Sequence, residues 1–303
     1  MSKINTGWLN IYKPINITSS KAVLKIKKKF NLKKIGHAGT LDPKAEGILP
    51  IAIGSTTRII NFIEKKKKIY QFIIKWGEQT NTDDSEGEVI YFSKNYPQKK
   101  EIEKILPNYL GTILQKPPIF SAIKISGNRA YDLSRKKIQF DLKDRKVEIF
   151  AIKLLKTISK SESLFSITCG KGFYIRSFAR DIAIKLGTRG HIKTLKRQEV
   201  GIFNEKNSIL LDDLLKIGHL SPEIKGYFKS TVMLDDIPAF NVNDKEISEI
   251  QKGKEISISN LEHSFSNEVK TENLVYAQKN KEVVALGYIE NNFFKPKKVL
   301  YKE

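Results

Sequence analysis

The sequence has 303 residues, 40% of them hydrophobic, which is enough for a large folded core and excludes a disordered chain. Its formal net charge is +21, from 54 basic and 33 acidic residues, which favours a polyanionic partner such as nucleic acid over a mere lysine bias. The apolar runs are short and interrupted by charge, which argues against membrane spans. The single cysteine, Cys169, argues against an internal disulfide, and the sequence shows no apolar secretion signal. Together these observations predict a cytoplasmic protein.

The charge is unevenly distributed along the chain. Residues 240–303 contain ten basic and ten acidic residues, so the whole basic excess lies in residues 1–239. We therefore expect the main electrostatic contact with a polyanion on the N-terminal part. The composition also shifts near residues 235–240, which predicts two domains, 1–235 and 236–303.

The first predicted elements lead to a glycine-rich stretch. Residues 7–12 alternate as in a strand, and Thr18 or Ser19 can cap the helix that follows. Residues 36–47 have the composition of a shaped loop, because three glycines and a proline lie within them. The apolar run at 48–53 then indicates a buried strand against which this loop is held.

The later elements alternate between strands and helices. In order they are a helix from Ser55, a strand at 69–76, a polar turn at 80–87, a return strand at 88–92, a helix at 99–110, an extended segment from 115, a helix from 128, strands at 145–158 and 163–169, a helix at 174–186, a basic segment at 191–203, a helix at 244–252, and strands at 274–278, 282–289 and 293–301. Hairpins without regular βαβ units predict an α+β fold with a mixed, mainly antiparallel sheet flanked by helices.

Asp42 is the best candidate for a reactive group. It precedes Pro43 in the glycine-rich loop, and loops held by a rigid scaffold often carry functional residues. An Asp-Pro turn in which the aspartate caps its own backbone is the commoner explanation of such a pair. However, a basic protein that performs covalent chemistry on nucleic acid needs an anionic nucleophile, and a carboxylate beside an arginine meets that need.

Several other side chains have both an ordinary and a functional interpretation. Arg176 lies in the first turn of a predicted helix, where the dipole disfavours a cation, so an anionic partner such as Asp42 explains its position better than solvent does. Tyr70 is either a core aromatic or a stacking platform for an extruded base. His37 is a turn residue or a base contact, and Leu195 is a core leucine or a pocket wall.

The sequence gives no sign of a cofactor. It has neither a Walker loop nor a GxGxxG after a strand, and its four histidines lack ligand spacing. We therefore expect no nucleotide cofactor and no metal site.

Five segments resemble one enzyme family. Residues 36–58, GHAGTLDPKAEGILPIAIGSTTR, look like its catalytic motif, and residues 7–20 look like its first motif. Residues 115–135, 170–187 and 191–203 are similar to three further motifs, and the tail resembles a small PUA-like RNA-binding domain. The family is that of the pseudouridine synthases that include the bacterial tRNA pseudouridine-55 synthases.

The resemblance implies roles for individual residues. Asp42 aligns with the catalytic aspartate, Tyr70 with the tyrosine that stacks on the target base, and Arg176 with the arginine that pairs with the aspartate. The residues expected to contact the flipped uridine or the surrounding RNA are His37, Tyr174, Leu195, Lys13, Arg129 and Arg197. Departures from the family pattern, at Asn10, Asn16 and Lys196, remove no reactive group.

The resemblance also implies a reaction and a partner. The chain would isomerise uridine 55 in the T-loop of tRNA to pseudouridine after flipping the base, with no cofactor. Asp42 would attack the sugar carbon or the uracil ring, or remove a sugar proton. We expect a monomer that binds the tRNA T-arm without an obligatory protein partner. Two alternatives stay open: a guide-RNA-dependent synthase subunit and a non-catalytic tRNA-binding protein.

Overall fold

The computed structural model of the protein describes residues 4–136, 138–258 and 274–300. The elements of its first half are β1 (Gly7–Lys13), α1 (Ser19–Lys29), β2 (Ile35–His37), β3 (Ala45–Ile53), α2 (Ile60–Lys65), β4 (Lys68–Trp76), β5 (Glu78–Thr80), β6 (Val89–Phe92), α3 (Lys99–Ile105), β7 (Gly111–Gln115), β8 (Lys124–Ile125), β9 (Asn128–Arg129), α4 (Ala130–Arg135), β10 (Arg145–Ser159) and β11 (Glu162–Cys169).

The second half continues the alternation and ends in strands. Its elements are α5 (Ile175–Lys185), β12 (Gly190–Val200), β13 (Phe203–Asn204), β14 (Ile209–Leu210), α6 (Leu211–Lys216), β15 (Tyr227–Phe228), β16 (Ala239–Asn241), α7 (Asp244–Gln251), β17 (Ile256–Ser257), β18 (Leu274–Lys279), β19 (Glu282–Glu290) and β20 (Phe293–Val299).

One large sheet forms the body of the molecule. Within the described residues it has eleven strands in the order β14-β1-β3-β12-β4-β11-β10-β7, with β2, β13 and β15 attached to β3, β12 and β1. The pairs β1–β14 and β3–β12 are parallel, and the other described pairs of this sheet are antiparallel. The predicted α+β fold with a mixed, mainly antiparallel sheet is therefore confirmed.

The core of this sheet fixes the two elements that carry the main site candidates. Every second residue of β4 is buried, as a strand with one face against the core requires. Phe72 of β4 stacks on Phe165 of β11 with ring centroids 5.5 Å apart, and it meets Phe178 of α5 edge-on at 6.0 Å. Tyr70 and Arg176 therefore project from elements that share one aromatic core.

A second sheet forms the C-terminal part. Its strand order is β16-β18-β19-β20-β17, and the rings of Phe240 and Phe294 lie 5.0 Å apart in its core. A further apolar cluster that includes Trp8, Met233 and Leu286 joins this sheet to the large one. The two cores are compatible with two domains, and the boundary at 235/236 stays a prediction.

The central stretch is less irregular than predicted. β2 includes Gly36 and His37, and β3 begins at Ala45, so an irregular loop is left only at residues 38–44. β2 pairs with β3 in antiparallel register, with His37 opposite Ile51. The prediction of a loop over 36–47 was wrong at both ends because this tertiary pairing overrides the low strand propensity of a glycine-rich segment.

Other predicted elements differ mainly at their ends. The basic segment 191–203 lies largely in β12, and α4 begins at Ala130, after the two-residue strand β9. A 3₁₀ turn at Gly54–Ile59 precedes α2. The last predicted strand ends at Val299, while residue 301 lies outside the described residues. Among the helices that the structure describes, none is both long and apolar enough to cross a membrane.

Candidate active site

The backbone around Asp42 is held from both sides. The Ser19 hydroxyl, at the start of α1, donates to the carbonyl of Leu41 (2.9 Å) and accepts from its N–H (2.8 Å). On the other side, the N–H of Ala45 donates to the Asp42 carbonyl at 3.1 Å. These contacts fix the peptide units that flank Asp42, so its carboxylate is presented from a constrained bend.

Asp42 forms a two-pronged ion pair with Arg176. Arg176 Nε lies 2.9 Å from Asp42 Oδ2, and Nη2 donates to Oδ1 at 3.2 Å. This fork geometry fixes both the distance and the orientation of the carboxylate. The sequence-based pairing of these two side chains, which are 134 positions apart, is thus present in the structure.

The remaining donors of Arg176 are directed at the surrounding loops. Nη1 donates to the carbonyl of Thr82 (3.1 Å), and Nη2 also donates to that of Phe120 (3.0 Å). The carboxylate of Asp84 lies 3.6 Å from Nη1. Arg176 is only 6% exposed, so these partners supply the hydrogen bonds that a buried guanidinium requires.

The acidity of Asp42 differs from the sequence-based expectation. Burial raises the pKa of the Asp42 carboxyl above its ordinary value, with the nearby Asp84 acting in the same direction, while Arg176 and Lys13 oppose the rise. Arg176 lowers the pKa, which is the direction expected of an arginine beside a carboxylate. Desolvation, which the sequence did not reveal, raises the pKa by more.

A small pocket opens beside this ion pair. Asp42 and Arg176 line it together with Leu195 of β12, and its other charged lining residues are Asp84, Lys44 and Lys193. Leu195 pairs in register with Ala45, the first residue of β3. The parallel β3–β12 contact therefore brings Leu195 to the carboxylate, as its interpretation as a pocket wall requires.

Tyr70 lies on the buried face of β4 near the same carboxylate. It is 9% exposed and directly opposite Arg197 of β12, whose guanidinium interacts with its hydroxyl. Burial raises the pKa of Tyr70, and the Asp42 carboxylate adds to the rise. The phenol is therefore neutral at physiological pH, and its ring is fixed between strands.

His37 and Arg129 lie in a neighbouring environment. Burial lowers the pKa of His37, and the cations Arg197 and Arg129 reinforce this effect. His37 Nδ1 is buried without a hydrogen-bond partner in the part of the chain that the structure describes. Arg129 is exposed on β9, with its guanidinium 6.0 Å from the ring centroid of Tyr131. His37 is half-buried and Arg129 is exposed, so RNA can reach both side chains, although the unbonded Nδ1 of His37 is itself enclosed.

Lys13 does not lie where an RNA contact requires it. Its side chain is fully buried, and Nζ donates to the carbonyls of Pro14 (2.8 Å), Ile17 (2.8 Å) and Pro43 (3.5 Å). Burial lowers the pKa of Lys13 to about 8. The predicted direct contact with RNA is contradicted by this enclosure, and Lys13 instead ties the loop after β1 to the turn that follows Asp42.

Arg197 is likewise an internal brace. It is 1% exposed, and its Nε donates to the carbonyl of Ile48 at 2.7 Å while Nη2 donates to that of Gly39 at 3.0 Å. The predicted RNA contact is contradicted here too, because the guanidinium is enclosed and bonds carbonyls inside the protein. Arg197 therefore connects β12 to β3 and to the start of the loop that carries Asp42.

Tyr174 and Asp84 complete the surroundings of Arg176. Tyr174 is the N-cap residue of α5, and burial raises the pKa of its phenol. Asp84 was not singled out from the sequence, although it lies in the predicted polar turn at 80–87 that follows the Tyr70 strand. Its neighbour Asp83 is buried against Arg180, with 2.9 Å between Oδ2 and Nη1. The sequence signal that could have identified Asp84 was three acidic residues in this one polar turn.

The described residues contain no group of three or more histidine, cysteine, aspartate or glutamate side chains that could hold a metal ion.

Comparisons with known proteins identify the family of the chain. The model of the family described as TruB family pseudouridylate synthase (N terminal domain) matches residues 27–175. The chain is 42% identical over 297 residues to the tRNA pseudouridine synthase B of Ehrlichia ruminantium, which covers 97% of this chain and 98% of that protein. It is 39% identical over 301 residues to the protein of the same name from Sinorhizobium medicae, covering 97% and 95%.

Solved structures show the same fold. The chain is similar to one in the crystal structure of the archaeal box H/ACA Nop10-Cbf5 complex, with a TM-score of 0.72, 24% identity, and coverage of 99% of this chain and 87% of that one. It is also similar to a chain of a Cbf5-Nop10-Gar1 complex, with a TM-score of 0.69, 26% identity, and coverage of 99% and 82%. The predicted pseudouridine synthase fold is confirmed.

Proposed function

The chain belongs to the TruB family of pseudouridylate synthases, and from this we propose that it converts uridine 55 in the T-loop of tRNA to pseudouridine. Relatives about 40% identical over nearly their full length carry the name tRNA pseudouridine synthase B, which supports an isomerase that acts on tRNA. The structural observation that best supports the proposal is the two-pronged ion pair of Asp42 and Arg176, which lines a pocket.

The reaction rearranges bonds without adding atoms. The N1–C1′ bond of the uridine breaks, the uracil turns, and C5 forms a bond with the same C1′. C5 then loses its proton, and N1 is protonated in the product, so the composition is unchanged. One fixed, anionic group next to the sugar can assist this sequence, and Asp42 is such a group.

The side chains near the ion pair supply positioning, although only Leu195 and Arg176 among those assigned below line the pocket. We assign to Tyr70 the stacking of its ring on the flipped uracil, since its phenol is neutral and its strand is rigid. Leu195 forms a pocket wall, and Tyr174 and His37 contact the uridine or the bases that it leaves behind. Arg176 holds Asp42 in orientation, and exposed Arg129 contacts the RNA backbone.

The proposal extends to the domains and partners. Residues 1–235 form the catalytic domain, and residues 236–303 form a PUA-like RNA-binding domain. The enzyme works in the cytoplasm as a monomer on the T-arm. One of the similar Cbf5 chains was solved with Nop10 and the other with Nop10 and Gar1. Independence from protein partners is therefore the part of the proposal that separates this chain from a guide-RNA-dependent subunit.

A direct experiment tests this function. The purified chain alone is incubated with an unmodified T-arm hairpin and with full-length tRNA transcript, and pseudouridine is mapped chemically. We expect modification at position 55 in both RNAs. Modification only after guide RNA or partner proteins are added supports the guide-dependent alternative, and RNA binding without any pseudouridine supports a non-catalytic protein.

A further inference from the structure

The side-chain amide of Gln115 forms two hydrogen bonds with the backbone of Tyr174, one through its nitrogen and one through its oxygen. Its Nε2 donates to the carbonyl of Tyr174 at 3.0 Å, and its Oε1 accepts from the N–H of Tyr174 at 2.8 Å. Gln115 is the last residue of β7 and only 2% exposed. A buried glutamine with both amide atoms committed to a single peptide backbone is a fixed anchor rather than a flexible surface group.

The anchored residue lies at the start of α5, which has no side-chain cap of its own. Tyr174 is the N-cap residue, and no hydrogen bond from its side chain satisfies the free N–H groups of the first turn. Arg176 follows two residues later. The anchor at Gln115 therefore sets the position of the helix turn from which the Asp42 partner projects.

The chain that follows Gln115 continues around the same helix. The carbonyl of Lys116 accepts from Arg180 Nη2 at 3.0 Å, and the carbonyl of Phe120 accepts from Arg176 Nη2 at 3.0 Å. Residues 115–120 thus contact the N-cap, the first turn and the second turn of α5. The side-chain anchor at Gln115 is the point where this segment leaves the sheet.

We propose that Gln115 is a positioning residue of the reaction, which fixes the start of α5 so that Arg176 holds Asp42 in its reactive orientation. This inference rests on the proposed function. Gln115 touches neither Asp42 nor the pocket, and it acts through Tyr174 and Arg176. The ordinary alternative is that its amide merely packs the edge strand against the helix.

The two interpretations differ in their effect on pH dependence. A loosened Arg176 stabilises the ionised Asp42 less, so the pKa of Asp42 rises further and activity needs a higher pH. A packing defect that leaves the ion pair intact does not change this pKa. The charged or titratable groups that face Asp42 or its pocket are Arg176, Tyr174, Asp84, Glu86, Lys13, Lys44, Lys193 and Tyr70.

The test compares Gln115→Met with the wild-type enzyme. Methionine has a similar length but cannot bond the Tyr174 backbone. Gln115→Asn is a second, neutral variant whose amide is one carbon too short to span both groups, and it serves if the methionine variant does not fold. Gln79→Met is the control, since this half-buried glutamine on β5 lies outside both the site and the proposed RNA-binding domain. Each variant is checked by thermal unfolding, and single-turnover rates on the T-arm hairpin are measured across pH.

We expect Gln115→Met to lower the single-turnover rate by about 10- to 100-fold, because small misplacements of catalytic groups cost that much. Hairpin affinity stays within about threefold, and the acid limb of the rate profile moves to higher pH. The control behaves as wild type. A folded variant with a wild-type rate, or a slower one whose acid limb does not move, overturns the proposal. A wild-type enzyme without activity contradicts the proposed function instead.

Discussion

Two opposing effects meet at the carboxyl group of Asp42. Burial disfavours the ionised form, whereas the fork from Arg176 favours it, and burial prevails. The side chain is still 33% exposed, so an RNA nucleotide can reach it. Asp42 is therefore less acidic than an ordinary aspartate and more basic as a reacting group.

The pH dependence of the reaction follows from this. If ionised Asp42 is required, the rate falls as pH drops through a pKa that lies above the ordinary value of about 3.9. Single-turnover rates on the hairpin between pH 4 and 8 measure this limb, with hairpin affinity at each pH as the control for RNA unfolding. A rate that is constant down to about pH 4 would contradict the raised pKa.

The buried ammonium group of Lys13 distinguishes a structural from an RNA-binding role. Lys13→Met leaves buried carbonyls without their donor, at a cost of about 1–3 kcal/mol for each unsatisfied group. We expect a lower free energy of unfolding in urea but unchanged RNA affinity below the transition. The exposed Lys21→Met on α1 is the matched control and should not lose stability. If Lys13→Met weakened RNA binding and reduced its salt dependence, Lys13 would contact RNA after all.

At the scale of elements, the loop with Asp42 depends on a close approach of β3 to β12. Gly47 has a φ of +108°, and a Cβ added there would lie 2.2 Å from the carbonyl oxygen of Arg197. Only glycine fits this position, since the obstacle is backbone and cannot rotate away. The same strand pair brings Leu195 to the pocket.

Gly47→Ala should therefore destabilise the fold severely. We expect a loss of at least about 3 kcal/mol, because both the backbone conformation and the strand spacing must change. Gly111→Ala is a matched control: Gly111 also has a positive φ, +84°, but nothing lies within 4 Å of an added Cβ. It should lose only about 1–2 kcal/mol. Equal losses of unfolding free energy for the two variants in urea would show that β3 and β12 do not approach each other closely at Gly47.

Elements with a clear period were predictable from the sequence. The alternation in β4 and the helical spacing of α5 are both imposed by burial of one face, and both elements lie where the pattern indicated. β2 was missed because its pairing with β3 is a tertiary event. β12 was left unassigned because its burial follows no strict alternation.

The site was predictable only in part. The ion pair of Asp42 and Arg176 could be inferred from a cation at a helix start and an acid in a loop. The contacts of Asp84 and Gln115 depend on where the 80–87 turn and β7 meet α5, which no local pattern encodes. The burial of Lys13 and Arg197 was missed for a related reason, since charged residues are usually exposed and here internal carbonyls satisfy them.

Across the whole molecule, the charge is concentrated on the part that carries the large sheet. Residues 240–303 have balanced charges, so the net +21 belongs to the chain before them. Such an excess attracts a phosphate backbone and releases counterions on binding. The electrostatic contribution should therefore come mainly from the part with the large sheet rather than from the C-terminal sheet.

Binding to RNA should weaken steeply with salt. For about five phosphate contacts, affinity for the T-arm hairpin falls about 500-fold between 50 and 200 mM monovalent salt. Fluorescence anisotropy across this range gives the slope of log affinity against log salt concentration. A change below about threefold would mean that the basic surface does not face the RNA.

The central claim is that one carboxylate, fixed by Arg176, performs the chemistry on a flipped uridine. The most direct measurement is the rate of pseudouridine formation by Asp42→Asn on the unmodified T-arm hairpin, together with its affinity. Asparagine keeps the shape but not the charge, so we predict a loss of at least about 1,000-fold in rate with affinity within about threefold. Substantial remaining turnover would contradict the assignment of Asp42.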